Sequence, residues 1–240
     1  MLRTLNARAI LEALARRGPL TRAELMRETG LSRTAVTQVL RMLEAGEAVA
    51  SAGVDRETNG PAATRVSLHP LLGHAAAVHV DHHSVQVVLV DPRGEVRAEA
   101  RGDFDSLDDR VELIAALLLE CRQSAPGPVH VAVVAVPGAV TSDGQIRDDR
   151  GPDGGIFHAA LQARLGCAVR IENDVNLAAL AEAQAGVGRD VPSFAYLHLD
   201  DGLGAGFIVD GALIRGASGL AGEVQYLPQT PLPIGAPVLS

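Results

Sequence analysis

The sequence predicts an α/β chain in two parts, a small helical module over residues 1–70 and a larger α/β domain over residues 71–240. Helix caps and glycine stops recur in order along the first part. Strand-like and helix-like apolar patterns then alternate along the second part. The charge divides in the same way, because the first part holds ten Arg and seven acidic residues and the second holds eleven Arg and twenty-two. A basic module on an acidic domain favours a nucleic-acid-binding module attached to a domain that does not bind nucleic acid.

The first helix is predicted over residues 5–17, where the apolar residues fall roughly on one helical face. They are Leu5, Ile10, Leu11 and Leu14. Gly18-Pro19 ends this helix. Thr21 and Glu24 then form the pattern of a capping box, in which each side chain satisfies the other residue's backbone donor. The capping box predicts a second helix over residues 22–29.

The third helix and a pair of short strands complete the module. Gly30 ends the second helix, and Ser32 caps a third helix over about 33–45. Two short strands, predicted over residues 48–52 and 63–68, flank a polar turn and form a wing. Three helices and a wing within 70 residues indicate a winged helix-turn-helix, which places its third helix in the major groove of DNA.

The third helix has the side chains that such contacts need. Its apolar stripe consists of Val36, Val39, Leu40 and Leu43. Arg can bond guanine, Gln can bond adenine, and Thr can bond phosphate or touch a thymine methyl. The candidate DNA-contacting residues on this helix and its cap are Ser32, Arg33, Thr34, Thr37, Gln38 and Arg41. The wing adds Arg56 and Arg65 as candidate backbone or minor-groove contacts. A small helical bundle with a solvated polar face is the alternative, and the order of caps, helices and wing disfavours it.

The larger domain alternates strands and helices. The predicted strands span residues 76–80, 85–91, 95–101, 129–136, 168–172, 194–199, 205–209 and 212–214. The predicted helices span residues 106–123, with Ser106 as the cap, 157–165 and 175–186. The last three strands open a second β-α unit that receives no helices before residue 240. We therefore expect their sheet to keep an uncovered apolar face.

Composition limits the class of protein. Hydrophobic residues make up 47% of the chain and aromatic residues 2%, with no Trp, so the core must be aliphatic. We expect Cys121 and Cys167, which lie in apolar contexts, to be reduced core thiols. No apolar run reaches the roughly 18 residues of a membrane span. The first residues lack the apolar core of a signal peptide, which predicts a cytoplasmic protein without a membrane partner.

Several ordered motifs resemble the ROK family (repressor, open reading frame, kinase). Residues 18–25 and 29–37 resemble the helix-turn-helix of its repressor branch, although Gly60-Pro61 lacks the Arg that the family's wing has between these residues. The remaining motifs are Val136–Val140, Ile171–Glu182, Gly202–Gly206 and Gly216–Glu223. The resemblance implies an actin-like ATPase (ribonuclease H-like) sugar-kinase domain with sugar and nucleotide between two lobes. The first lobe would span about 71–188 and a partial, C-terminally truncated second lobe about 189–240.

The resemblance also assigns residues to the cleft. Asn173 and Glu223 fall on sugar-hydroxyl ligands of the family, Gly138 falls in its Pro-Gly segment, and Asp174 falls on the catalytic base of its kinases. The sequence allows a second role for Asp174, as the N-cap of the helix that follows it. A sugar or sugar phosphate held by these residues would be the effector of a repressor.

The phosphate-binding motifs of the family's kinases are altered. Asp81-His82-His83-Ser84-Val85 stands in place of Asp-x-Gly-Gly-Thr, and Asp200-Asp201-Gly202 stands in place of Gly-Thr-Gly. In these motifs the backbone must come close to a phosphate, and only Gly, which has no side chain, allows that approach. We therefore expect no kinase activity, no catalytic residue beyond a vestigial Asp174, and no cofactor. We also expect no metal. The side chains of adjacent His residues on a strand point apart, which disfavours a shared ion. The zinc ligands of the family are also missing, because Tyr226 stands in place of its zinc-binding His.

The sequence thus predicts a transcriptional regulator, acting as a repressor of sugar metabolism or transport genes. Its expected partners are double-stranded DNA, a sugar or sugar-phosphate effector and a second copy in a homodimer. Two alternatives stay open, a ROK-type sugar kinase and a truncated interaction protein that pairs with full-length relatives.

Overall fold

The structure is a computed structural model that describes residues 2–55, 63–69, 72–141, 143–147, 154–199 and 202–224. Its amino-terminal part, here called the head, consists of α1 (Leu2–Arg17), β1 (Leu20–Thr21), α2 (Arg22–Thr29), α3 (Arg33–Ala45), β2 (Val49–Asp55) and β3 (Ala63–Leu68). Strand β3 lies between β1 and β2 and is antiparallel to both. The predicted winged helix-turn-helix is confirmed, with β2 and β3 as the wing.

Side-chain caps fix the bounds of α2 and α3. The Thr21 hydroxyl accepts a hydrogen bond from the Glu24 amide, and the Glu24 carboxylate accepts one from the Thr21 amide at 2.7 Å. Gly30 ends α2 in the left-handed conformation, with φ at 68°. The Ser32 hydroxyl accepts from the Ala35 amide at 3.3 Å and starts α3. Both helices therefore begin and end at the predicted residues.

The head has its own apolar core, which α1, α3 and the strands enclose. Ile10 and Leu14 of α1 are fully buried beside Leu40 of α3 and Val66 of β3. The prediction for Leu5 was wrong, because its side chain is 57% exposed. Leu5 does not follow the three- and four-residue spacing that joins the buried positions of α1, so it lies on another side of the helix.

The larger part, here called the body, contains a five-stranded sheet of order β10-β7-β4-β5-β6. Its elements are β4 (His74–Val80), β5 (Ser84–Val90), β6 (Val96–Asp103), α4 (Arg110–Ser124), β7 (Val129–Val136), β8 (Ala139–Val140), β9 (Ile146–Arg147), α5 (Gly154–Leu165) and β10 (Ala168–Asn173). Strands β4, β7 and β10 are parallel, so their carboxyl ends lie at one edge of the sheet. Helices α4 and α5 cover one face of this sheet with a largely aliphatic core.

A second sheet of three antiparallel strands follows α6 (Asp174–Ala185). Its strands are β11 (Phe194–Leu199), β12 (Leu203–Val209) and β13 (Ala212–Ile214), in that order across the sheet. Helix α6 packs so closely on one face that a side-chain carbon at Gly206 would lie 2.6 Å from the Ala179 side chain. On the opposite face Leu197 and Leu199 are 67% and 81% exposed. Within the described residues, the expected uncovered apolar face is present.

Beyond small shifts in the bounds of elements, three further features of the body and head differ from the sequence prediction. The hairpin of β8 and β9 was not predicted, and neither was β1, because two-residue strands have no alternating pattern to detect. Ser106 caps a 3-10 turn, Leu107–Asp109, rather than the long helix. Helix α4 begins after Asp109, which makes no side-chain cap bond.

The connection between head and body is tightly bonded where it is described. Leu72 packs against the core of the head, and its carbonyl oxygen lies 2.7 Å from His130 Nε2 of β7. The His74 amide donates to the Pro128 carbonyl at 2.8 Å. A side-chain carbon at Gly73 would lie 2.5 Å from that same oxygen, so only Gly fits there. The predicted boundary at residue 70 stays a prediction, because residues 70 and 71 lie outside the described ranges.

Neither cysteine is in a disulfide. Cys121 is buried and Cys167 is half-buried, and burial raises the pKa of both thiols. They pack in or against the apolar core of the body, as the sequence predicted. Across the described ranges, no helix has the length and apolar composition needed to cross a bilayer.

Candidate nucleic-acid interface and ligand cleft

The outer face of α3 forms a shallow polar depression on the head. Its volume is about 330 Å³, and it is lined by Arg33, Thr34, Thr37, Gln38 and Arg41. The opposite face of α3 is buried in the core of the head, which fixes the helix and leaves this polar face outward. The structure thus brings together five of the residues that the sequence predicts to contact DNA.

Two hydroxyl groups at this face already have intramolecular bonds. The Ser32 hydroxyl caps α3, and the Thr37 hydroxyl donates to the Arg33 carbonyl at 2.8 Å. Arg33, Gln38 and Arg41 are exposed and form no hydrogen bond or ion pair with the described residues. The donors available to a ligand therefore include the two guanidinium groups, the Gln38 amide and the Thr34 hydroxyl.

The wing residues have different surroundings. The Arg65 guanidinium donates to the Pro19 carbonyl at 3.2 Å and lies 3.9 Å from the Glu24 carboxylate, so it holds β3 against the start of α2. Its role in DNA binding stays a prediction. Arg56 lies outside the described residues.

Sequence reasoning did not single out Arg22. This residue is exposed and opens α2 directly after the Thr21 cap. A guanidinium at a helix N-terminus suits phosphate, because the first backbone N–H groups and the helix dipole also favour anions. The capping box that locates the start of α2 was the signal that could have found it.

Asn173 stands where β10 ends and α6 begins. Its side-chain oxygen accepts from the Asn176 amide at 2.8 Å, and its side-chain nitrogen donates to the Gly138 carbonyl at 3.0 Å. Asn173 is therefore the N-cap of α6, and the interpretation of Asp174 as that N-cap was wrong. Sequence alone does not separate the two, since both residue types favour this position. The structure places Asn173 and Gly138, two predicted ligand residues, in direct contact.

Asp174 is a largely buried carboxylate at the first position of α6. It accepts a hydrogen bond from the Val175 amide at 2.7 Å. Burial raises the pKa of Asp174, and the Val175 hydrogen bond and the nearby His79 and His198 oppose this rise. His79 on β4 and His198 on β11 therefore both face the Asp174 region, and neither was singled out from the sequence.

Glu223 lies in a segment that contacts β12 of the second sheet and the β8–β9 hairpin. The Gly222 carbonyl accepts from the Ala205 amide of β12 at 2.8 Å. At Gly219 a side-chain carbon would lie 2.4 Å from the Val140 carbonyl of β8, so the segment passes directly over that strand. We call the space between this segment and the start of α6 the ligand cleft. The grouping of Glu223 with Asn173 and Asp174 around one ligand stays a prediction.

A partly buried ion pair joins the two sides of the ligand cleft. Arg215 donates to one oxygen of Glu172 from Nε at 2.7 Å, and its Nη2 lies 2.6 Å from the same oxygen. The other Glu172 oxygen accepts from the Asn173 amide and from the Asn176 side chain, each at 3.1 Å. Neither member of the pair was singled out from the sequence.

The turn between β4 and β5 replaces the first phosphate-binding motif. The Asp81 amide donates to the Ser84 carbonyl at 2.8 Å, which closes a tight turn with the exposed His82 and His83 at its tip. Asp200 and Asp201, of the second motif, lie outside the described residues, as does Tyr226. In the part of the chain that is described, no three His, Cys, Asp or Glu side chains are grouped as metal ligands would be.

The head and the body each match known proteins. A winged helix-turn-helix DNA-binding family model matches residues 3–48. The xylose repressor of Bacillus subtilis is 23% identical over 233 residues, which cover 92% of this chain and 60% of that protein. The β-glucoside kinase of Listeria innocua is 39% identical over 161 residues, which cover 63% of this chain and 52% of that protein. The chain thus spans little more than half the length of the curated relatives that it matches.

Solved structures agree on the fold. A ROK family transcriptional regulator, homologous to the Escherichia coli MLC protein, superposes with a TM-score of 0.71 at 22% identity, covering 92% of this chain and 58% of that one. The ROK family glucokinase of Streptomyces griseus, solved with glucose and AMPPNP, superposes with a TM-score of 0.58 at 22% identity, covering 66% and 52%. The body therefore has the sugar-kinase-like, actin-like ATPase fold. Because the ROK family model matches residues 75–232, more than half of the 240 residues, this chain belongs to the ROK family.

Proposed function

We propose that this chain is a DNA-binding transcriptional regulator that represses genes of sugar metabolism or transport and responds to a sugar or sugar phosphate. The outward polar face of α3 is the observation that carries this proposal. The head directs Arg33, Gln38 and Arg41 outward without intramolecular partners among the described residues. Guanidinium and amide groups on an exposed helix suit base edges in the major groove.

The ligand cleft supports an effector role for the body. Asn173 and Asp174 lie at the carboxyl ends of the parallel strands β4, β7 and β10, which is the usual place for ligands in α/β folds. A carboxylate and an amide there can bond sugar hydroxyl groups. Relatives named as xylose and N-acetylglucosamine repressors support a sugar as the ligand class. A dimer would have two arrangements of its heads, one of which binds the DNA site better. An effector would act by having a different affinity for each arrangement.

We further propose that the body does not transfer phosphate. His82 and His83 occupy the turn where a kinase needs glycine backbone against polyphosphate. The 39% identity to a β-glucoside kinase makes the kinase alternative worth measuring. An ATP-coupled assay over a sugar panel, with a ROK glucokinase as the positive control, tests it. Turnover at about 1–100 per second, the usual range of kinases, would overturn this part of the proposal.

The DNA-binding proposal is tested by selecting a binding site from random duplexes and measuring affinity for variants. We expect Arg33→Ala to weaken binding to the selected site by about 1–3 kcal/mol and to relax base preference at one position. Arg93→Ala, at an exposed turn of the body, is the matched control and should bind as wild type. Equal loss on every sequence would make Arg33 a phosphate contact instead.

A wild-type chain that selects no sequence would contradict the proposal. A homodimer should select a palindrome.

A further inference from the structure

We infer that Arg215 is a positioning residue of the ligand cleft, acting through Glu172. The pair fixes the segment that carries Glu223 against the strand end and helix that carry Asn173 and Asp174. This inference rests on the proposed effector function and deepens it, since it names the contact that holds the two halves of the effector site in register.

Arg215 contacts Glu172 through two nitrogens at once, and this ion pair is here called the clamp. Two guanidinium nitrogens of Arg215 converge on one Glu172 oxygen, at 2.7 and 2.6 Å. The second oxygen accepts from the Asn173 amide and the Asn176 side chain, at 3.1 Å each. Both oxygens of Glu172 therefore bond protein groups. Glu172 acts on the cleft through its neighbours rather than as a ligand.

Burial makes this clamp sensitive to loss of either member. The Glu172 side chain is 11% exposed and that of Arg215 is 39% exposed. A carboxylate buried to this degree is strongly unfavourable without a compensating cation. Asn176, 2% exposed, depends on Glu172 as well, because its side-chain nitrogen bonds that carboxylate and its side-chain oxygen has no partner among the described residues.

The segment that begins at Arg215 is rich in glycine, and its backbone alone does not fix its position. Gly216, Gly219 and Gly222 all have positive φ, between 72° and 97°. The Arg215 carbonyl accepts from the Ala221 amide at 3.2 Å, which folds the segment back on its start. A glycine-rich turn of this kind is conformationally permissive, so a charged anchor at its base sets where Glu223 stands.

The pair also acts on the start of α6 through the residue next to Glu172. Glu172 directly precedes Asn173, which caps α6 and bonds Gly138. A shift of the Glu172 carboxylate therefore moves the Asn173 amide and the Asn176 side chain together. Removal of Arg215 should disturb the ligand cleft on both sides, whereas the head should be unaffected.

Three variants separate positioning from general stability. Arg215→Met removes the cation and leaves Glu172 uncompensated. Glu172→Gln with Arg215→Met replaces the ion pair by neutral groups of similar size. Arg215→Lys keeps the charge but loses the planar fork. Arg189→Met, at an exposed position of the body, is the matched control.

Binding is measured by calorimetry with glucose, xylose, N-acetylglucosamine and the 6-phosphates of the two hexoses as probes. We expect Arg215→Met to weaken the best probe at least tenfold, with wild-type affinity for the selected DNA site when no probe is present. The double variant should regain the thermal midpoint of wild type but not its probe affinity, and Arg215→Lys should fall between. Wild-type probe affinity in Arg215→Met or in the double variant would overturn the inference.

Amide hydrogen exchange distinguishes failure of the inference from failure of the effector function. In Arg215→Met, exchange should accelerate in residues 216–224 and at the start of α6, and stay unchanged in α1–α3. Unchanged exchange in both body segments would overturn the inference whatever the probes do. A wild-type chain that binds none of the probes, with accelerated exchange in the variant, would reject these sugars as effectors and leave the clamp standing.

Discussion

At the scale of single residues, Asp174 is a predicted ligand residue whose ionised carboxylate disfavours folding. Its carboxylate is largely buried, and burial raises its pKa above the ordinary value. A carboxyl group whose pKa is higher in the folded than in the unfolded state disfavours folding when it is ionised. The penalty is present above the folded-state pKa and disappears as pH falls below the unfolded value. Such a penalty is typical of groups kept for binding rather than for folding.

We therefore expect Asp174→Asn to stabilise the protein at neutral pH. The gain should be about 0.5–2 kcal/mol, the usual yield of one stabilising change, because Asn keeps an acceptor for the Val175 amide without the charge. Chemical denaturation at neutral and acid pH measures it, and the gain should shrink as the pH falls. Asp190→Asn, at an exposed position, is the control and should change little at either pH. A destabilised Asp174→Asn would contradict this account.

At the scale of elements, the helix starts of the head depend on side-chain caps. The Thr21 hydroxyl satisfies an N–H group of α2 that has no partner inside the helix. Thr21→Ala should lower the free energy of unfolding of the head by about 0.5–2 kcal/mol. Thermal or urea unfolding measures the loss. The control is Thr4→Ala, at an exposed position inside α1, where Ala should be neutral or better. Equal effects of the two changes would mean that the capping box does not hold α2.

The same caps explain which elements the sequence could predict. Helices α2 and α3 matched to the residue, because Thr21, Gly30 and Ser32 mark their ends chemically. Helix α1 was predicted with a late start and a wrong position for Leu5, because periodicity without a cap locates a helix but not its bounds. The β8–β9 hairpin carries neither signal. Helix bounds that capping residues mark could thus be predicted from the sequence. Pairing between short strands could not.

The residues of the candidate site also separate into those that local sequence could predict and those that it could not. The face of α3 could be predicted in full, because the residues of one helix face are set by spacing alone. The Glu172–Arg215 pair could not be, since its partners are far apart in the chain and meet only when the second sheet folds back. The resemblance supplied Asn173, Asp174 and Glu223, but only the structure distinguished the N-cap from the buried carboxylate.

At the scale of the whole molecule, the bond between Leu72 and His130 ties the head to the body. We expect His130→Ala to accelerate amide exchange at residues 72–74 by up to about tenfold, since a hydrogen bond contributes about 0.5–1.5 kcal/mol net. The thermal midpoints of head and body should stay unchanged. His82→Ala, at an exposed turn, is the control. Unchanged exchange in His130→Ala would mean that packing alone holds the connection.

Strand β4 runs from the connection between head and body to the edge of the ligand cleft. Its first residue, His74, is bonded next to the head, and its last residue, Val80, leads into the turn beside the cleft edge. Seven extended residues form a stiff rod about 20 Å long, held on both sides by neighbouring strands. The pairing of β4 with β7 shifts register once, between His74 and Ala75, and is regular from Ala75 onward, so a tilt imposed at Ala75 is carried toward Val80. In the homodimer that the sequence predicts, two heads attached to such strands would move apart or together with small movements at the cleft ends of the strands.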